Sequence, residues 1–186
     1  KSSRIIDKNG RQIDRWNTRG GNFLHPEAAS VFYDTISEMY DFYKDAGDVA
    51  GMCMITGKYY LPGFLPSIKR DSSMELLGYG YGDFTTELFE KETGISLGIE
   101  ATDQRRFTKR YELLTGKYKP QWLEWRATKI KEALDKVSGI ISQGERKWKL
   151  YAVPYFLLED EKNPYQEAVS TQEERAGFVE TSLLKA

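Results

Sequence analysis

Two short runs of side chains have the types and the setting for chemistry. Glu159 and Asp160 follow a continuous apolar run from Trp148 to Leu158. Carboxylates placed just past a buried strand can give and take protons. Lys58, Tyr59 and Tyr60 follow a second such run, Asp48 to Thr56. A tyrosine offers a flat apolar face with a polar edge, which suits contact with a sugar ring. Tyr155 and Phe156 would face the same mouth if the two strands are parallel. His25 adds an imidazole just before Pro26 at a helix start. Each of these has a plainer reading beside it. Glu159 and Asp160 are sequence neighbours that point apart, and with Glu161 and Lys162 they also read as a solvated acidic loop. His25 also reads as a packing residue at a helix entry. Asp71 and Glu75 read as exposed loop charge, and Asp83 as a helix N-cap.

Composition narrows the classes. A chain of 186 residues with 40% hydrophobic and 30% charged content reads as one soluble α/β domain spanning 1–186. The formal net charge of −1 argues against a nucleic-acid partner. No apolar run approaches the roughly 20 residues of a membrane span. One His and one Cys leave no metal-ligand spacing and no disulfide within the chain, so neither metal nor cofactor is expected. Cys53, inside an apolar strand, reads as a small buried hydrophobe. The start Lys1-Ser2-Ser3 reads as trimmed or mature, which fits an extracytoplasmic protein with its signal removed. Compartment and oligomeric state are not fixed by these features. Twelve Tyr, nine Phe and four Trp make 13% aromatic content, the one unusual number, and it fits either a sugar-binding surface or an aromatic core.

The elements that must hold these residues follow from periodicity and punctuation. Asn9-Gly10 predicts a hairpin turn between Arg4-Ile5-Ile6 and Gln12-Ile13-Asp14. Pro26 starts a helix to about Ala46, with Phe32, Ile36, Met39, Tyr40 and Tyr43 as its apolar stripe and Gly47 as its stop. The apolar run to Thr56 is a strand covered on both faces, as in a parallel sheet. Gly78-Tyr79-Gly80-Tyr81-Gly82 reads as a mobile aromatic loop. Asp83 then caps a helix to Thr93, with Gly94 after it. Asp103 caps another, carrying Phe107, Tyr111 and Leu114 and stopped by Gly116. Pro120 starts the longest helix, to about Ser142, burying Trp122, Trp125, Ile130, Ala133, Val137 and Ile141, with Glu132 and Lys136 paired on its wet side. Trp148 to Leu158 is the second buried strand, with Pro154 at a bulge or at its end. Ser170 and Glu173 form a capping box for a last helix to about Leu184. Two buried strands, each followed by a loop and a helix, are two β/α units. A closed eightfold barrel takes about 250 residues, so the chain is a piece of a larger barrel or a small open α/β fold.

The motifs Phe23-Leu24-His25-Pro26-Glu27, Val49-Ala50-Gly51-Met52, Leu61-Pro62-Gly63, Gly82-Asp83-Phe84-Thr85, Phe89-Glu90-Lys91-Glu92-Thr93-Gly94-Ile95, Arg106-Phe107 and Trp122-Leu123-Glu124-Trp125-Arg126 occur in that order. Together they resemble bacterial glycoside-hydrolase-like proteins, the barrel proteins described as family-10-like glycosyl hydrolases, over Asn22 to Phe156. The resemblance implies a (β/α)₈ TIM-barrel scaffold, of which this chain holds a portion, and hydrolysis of a carbohydrate. That reaction uses two carboxylates, about 5 Å apart for retention or about 6.5–9.5 Å for inversion. In the family the strand matching Val49 to Thr56 leads into acidic residues, whereas Ile55-Thr56-Gly57-Lys58-Tyr59-Tyr60 contains none. The acids then fall to other segments, or outside this fragment. The alternative is a module that keeps the barrel without catalysis: a carbohydrate binder using Tyr59, Tyr60 and Tyr81, or a structural domain whose aromatics are all core.

Overall fold

A computed structural model describes residues 3–12, 14–15, 18–19, 21–56 and 78–154. Within them the chain is α/β. A short antiparallel pair, β1 (Asp14–Arg15) and β2 (Thr18–Arg19), precedes α1 (Pro26–Tyr43) and β3 (Gly51–Thr56). Three helices follow, α2 (Asp83–Thr93), α3 (Arg106–Thr115) and α4 (Lys119–Ile141), and then β4 (Lys149–Pro154). β3 and β4 pair in parallel, from Gly51 beside Lys149 to Thr56 beside Pro154. The expected parallel relation of the two apolar runs is therefore present. Tyr155 to Leu158, the rest of the expected second strand, and the expected helix after Ser170 lie outside the described residues.

The helix ends sit where local chemistry puts them. Pro26 opens α1, where its missing N–H costs nothing. Gly94 closes α2 in the left-handed region at φ 72°, and its N–H donates to the Glu90 carbonyl. Gly116 follows the last residue of α3. The end of α1 is served from a distance: the Arg146 guanidinium donates to the carbonyls of Ala46 and Gly47. The Asn9-Gly10 turn is also formed. Gly10 takes φ 80°, the Asp7 carboxylate accepts from the N–H of Asn9 and of Arg11, and Ile6 bridges Gln12. Beyond that bridge, however, Asp14 pairs not with this arm but with Arg19.

The core lies between the sheet and the helices. Trp122 and Trp125 stack at 5.2 Å, and Phe89 meets both edge-on at 5.3 and 5.4 Å. Each such pair adds about 0.5–1.5 kcal/mol beyond its area. This cluster includes Tyr81, Leu114 and Leu134; a second joins Ile36 and Tyr40 of α1 to Val137, Ile141 and Trp148. Met54 and Leu150 pack against both clusters. Since side chains alternate along a strand, α1, α2 and α4 all lie on one face of the sheet. Cys53 and its register partner Tyr151 point to the other face, and both are exposed, Tyr151 at 50%.

Cys53 is not buried, because the helices among the described residues cover one face of β3 and not two. The stripe on α1 is narrower than its apolar residues: Met39 and Tyr43 are exposed, and Phe32, Tyr33, Ile36 and Tyr40 face α4 and the sheet. Glu132 pairs with Lys129, while Lys136 lies 3.9 Å from the centre of the Tyr33 ring. Burial, and then the charge of Glu132, push the Tyr33 hydroxyl up to about 12. Gly78 to Gly82 is a fixed strap. Tyr81 is fully buried; the N–H groups of Gly80 and Tyr81 donate to the Ile6 carbonyl, and Asp7 bridges Tyr79. A buried Tyr81 cannot serve as a sugar platform.

Candidate functional site

Parallel strands carry ligands beyond their carboxyl ends, so the candidate site is the edge where Thr56 sits beside Pro154. The segments holding Lys58, Tyr59 and Tyr60 on one side and Tyr155, Glu159 and Asp160 on the other begin from that edge by chain continuity. All six residues lie outside the described residues. His25 is described.

Helix direction brings His25 to the same end. Tyr33 meets Lys136, and further along α1 the Tyr40 hydroxyl accepts from the Gly144 N–H, so α1 and α4 run in parallel. Both end close to the amino edge of the sheet: the Lys149 N–H donates to the Ala50 carbonyl and the Trp148 N–H to the Ile141 carbonyl. Their amino ends therefore point toward the carboxyl edge. His25 precedes the first residue of α1, and its ring lies 4.7 Å from that of Phe84 in the first turn of α2. Its Nδ1 is buried, has no hydrogen-bond partner among the described residues, and lies 3.9 Å from the Glu27 carboxylate. Beside it, the buried Asn22 amide donates to the Thr85 hydroxyl at 2.9 Å, and its oxygen accepts from the Leu24 N–H. The amino ends of α1 and α2 are thus fastened together.

The amino end of α3 joins them through Asp83. Arg106 Nε and Arg110 Nη1 both donate to Asp83 Oδ1, at 3.0 and 2.6 Å. Arg110 is buried and also donates to the Tyr81 carbonyl. Asp83 is therefore not the N-cap that its position predicts. Gly82 occupies the cap, with Ile6 so close that any Cβ there would press on it, and Asp83 is the first helical residue. Burial alone would raise the Asp83 carboxyl. The hydrogen bonds and charges of Arg106 and Arg110 outweigh it and hold the group below its ordinary value. Asp83 stays ionised and committed to two guanidinia, so it is a positioning group and not a proton donor.

Because the folded pKa of Asp83 is depressed, the unfolded chain takes up more protons as the pH falls. The stability Asp83 contributes is present above the ordinary carboxylate value near 4 and is lost below it. Asp83→Asn should cost about 2–3 kcal/mol at neutral pH, less than for a fully buried pair because Asp83 keeps a solvent edge. The difference from the parent should shrink as the pH falls from 5 to 3. Urea unfolding at several pH values checks this; a constant difference would mean that the carboxylate charge is not what matters.

A second guanidinium acts on the same strap. Arg126 is fully buried, donates to the Tyr79 carbonyl at 3.2 Å and lies 5.4 Å from the Trp122 ring centre. Burial lowers its pKa to about 10. Arg110 and Arg126 thus hold the carbonyls on either side of Gly80, which takes φ 101°. Among the described residues no group of three or more His, Cys, Asp or Glu could hold a metal ion, and no helix is long and apolar enough to cross a membrane.

No family model matches the chain, and no curated protein or solved structure matches it either. The Asn22–Thr85 and Asp83–Arg106–Arg110 contacts escape sequence reasoning because they join residues dozens of positions apart. The only local trace is the i, i+4 spacing of the two arginines on one face of α3.

Proposed function

We propose that the chain is a portion of a (β/α) barrel of the glycoside-hydrolase-like type, acting on an oligosaccharide or polysaccharide by acid/base hydrolysis at the carboxyl edge of β3 and β4. The observation that carries this reading is the in-register parallel pairing that sets Thr56 beside Pro154. From that edge start both runs with suitable chemistry. Glu159 and Asp160 supply acid/base groups, and Lys58, Tyr59, Tyr60 and Tyr155 contact the substrate, with His25 at the rim. The helices among the described residues cover one face of the sheet, which supports the same reading. A barrel covers the outside of its sheet with helices and turns the other face, here that of Cys53 and Tyr151, toward its own interior.

The absence of an acid in Ile55 to Tyr60 favours a second reading, a barrel-borne module that binds carbohydrate without cleaving it. One experiment separates the two. Reducing-sugar release from a panel of glycans should fall by about a hundredfold or more in Glu159→Gln, if that residue is the acid/base group. Unchanged turnover would remove Glu159. Binding of a glycan by the parent with no sugar released would replace hydrolysis by the binding module.

A further inference from the structure

We propose that the outer flank of α1 is a docking surface for a partner's amphipathic helix whose apolar stripe is bordered by basic residues. Val31, Met39, Phe42 and Tyr43 are exposed by 68%, 45%, 79% and 45%, and they account for four of the five large exposed hydrophobic residues among the described residues. Val31, Thr35, Met39 and Phe42 fall at i, i+4, i+8 and i+11, so they form one continuous row along the helix. Phe42 and Tyr43 meet edge-on at 4.7 Å and make an aromatic knob at one end of it. A different face of the helix packs on α4 and the sheet through Ile36 and Tyr40, so this row is surplus to the fold. A row of apolar side chains on a long helix is the surface into which another helix's anchors fit.

Charge selects the occupant. Glu27, Asp34, Glu38 and Asp41 fall at i, i+7, i+11 and i+14, a second exposed row directly beside the first. Glu38 lies one turn from Phe42, and Asp34 three residues from Val31. Asp34 accepts from Ser30, and Asp41 is paired with Lys44, which leaves the row acidic as a whole. A partner helix with lysines or arginines beside its stripe would neutralise that row as it covers the apolar one. A second copy of this chain fits poorly: a two-fold antiparallel pairing of two such flanks sets acidic row against acidic row.

The test uses the full chain and two fluorescent helical peptides with the same leucine stripe, one flanked by lysine and its twin by glutamate. By anisotropy the lysine peptide should bind at least tenfold more tightly than the twin. Phe42→Ser should weaken it at least tenfold, and Asp34→Lys with Glu38→Lys should reverse the preference. All these side chains are exposed, so circular dichroism should show an unchanged fold. Equal binding of both peptides, no binding, or a preference indifferent to these substitutions would overturn the proposal. So would a concentration-dependent dimer in sedimentation that Phe42→Ser abolishes, because a second copy would then be the occupant.

Discussion

Arg126→Ala should lower the unfolding free energy by about 2–3 kcal/mol, whereas Arg126→Met should change it by less than about 1.5 kcal/mol. The side chain is fully buried, and alanine removes its volume from beside Trp122, Tyr79 and Tyr81. Cavity formation at such a site costs about 2–5 kcal/mol, and the loss of a donor to the Tyr79 carbonyl costs about 1–3 more. Against this stands the expense of keeping a guanidinium out of water. The fall from the ordinary guanidinium value to about 10 corresponds to roughly 3 kcal/mol of penalty on the charged form, which either substitution removes. Methionine frees the carbonyl but keeps most of the volume and sheds the penalty, so its gains and losses nearly cancel. Alanine sheds the penalty too but opens the cavity and frees the carbonyl, so the losses win. Domains are stable by about 5–15 kcal/mol, and the alanine variant should melt many degrees lower. Urea and thermal unfolding of both variants decide it. A methionine variant as unstable as the alanine one would mean that the grip on the Tyr79 carbonyl outweighs packing, and the strap would then be held by polar contacts first.

Much of the architecture is legible in the sequence where the cause is local. Pro26 and Gly94 mark helix ends because a missing N–H and a left-handed φ act within one residue, and Gly116 does so because a Cβ there would press on the Glu112 carbonyl. Trp122, Trp125, Ile130, Ala133, Val137 and Ile141 share one face of α4 because period alone sets it, and all are buried. The parallel order of the two apolar runs follows from their length and from the helices between them. The reading departs from the structure where the cause is distant. Cys53 looks buried because a strand apolar at every position usually has both faces covered, but a sequence does not say how many faces the helices reach. Tyr81, between glycines, looks like loop. It is core because Ile6, some seventy positions away, accepts its N–H. Asp83 has the type and place of a cap, yet two arginines on the next helix take its charge. For the site the same division holds. The shared edge of Thr56 and Pro154 is foreseeable. The gathering of Asn22, His25 and Asp83 at the amino ends of three helices is not, since no local pattern encodes a long-range pair.

That shared edge depends on register, and Gly51 tests it. Strand propensity alone says that Gly51→Val should help, because glycine is poor and valine good in strands, a span of about 1 kcal/mol. The structure predicts the opposite. Gly51 sits beside Lys149 on the first rung of the parallel pair, and a Cβ added there would run into the Lys149 backbone carbonyl, with the carbon and nitrogen of the same residue close behind. Backbone cannot swing aside as a side-chain tip can, so the strands would have to part. We expect a loss of about 3 kcal/mol for Gly51→Ala and a similar one for Gly51→Val, since the offending atom is common to both. Similarity between the two is the informative result: a packing problem further out would make valine much worse than alanine. Amide exchange should then quicken along β3 and β4, from Met52 and Leu150 onward, while the amides of α3 keep their protection. A neutral Gly51→Ala with unchanged exchange would mean that Gly51 does not lie against Lys149. Thr56 would then no longer lie beside Pro154, and the two candidate segments would lose their common starting edge.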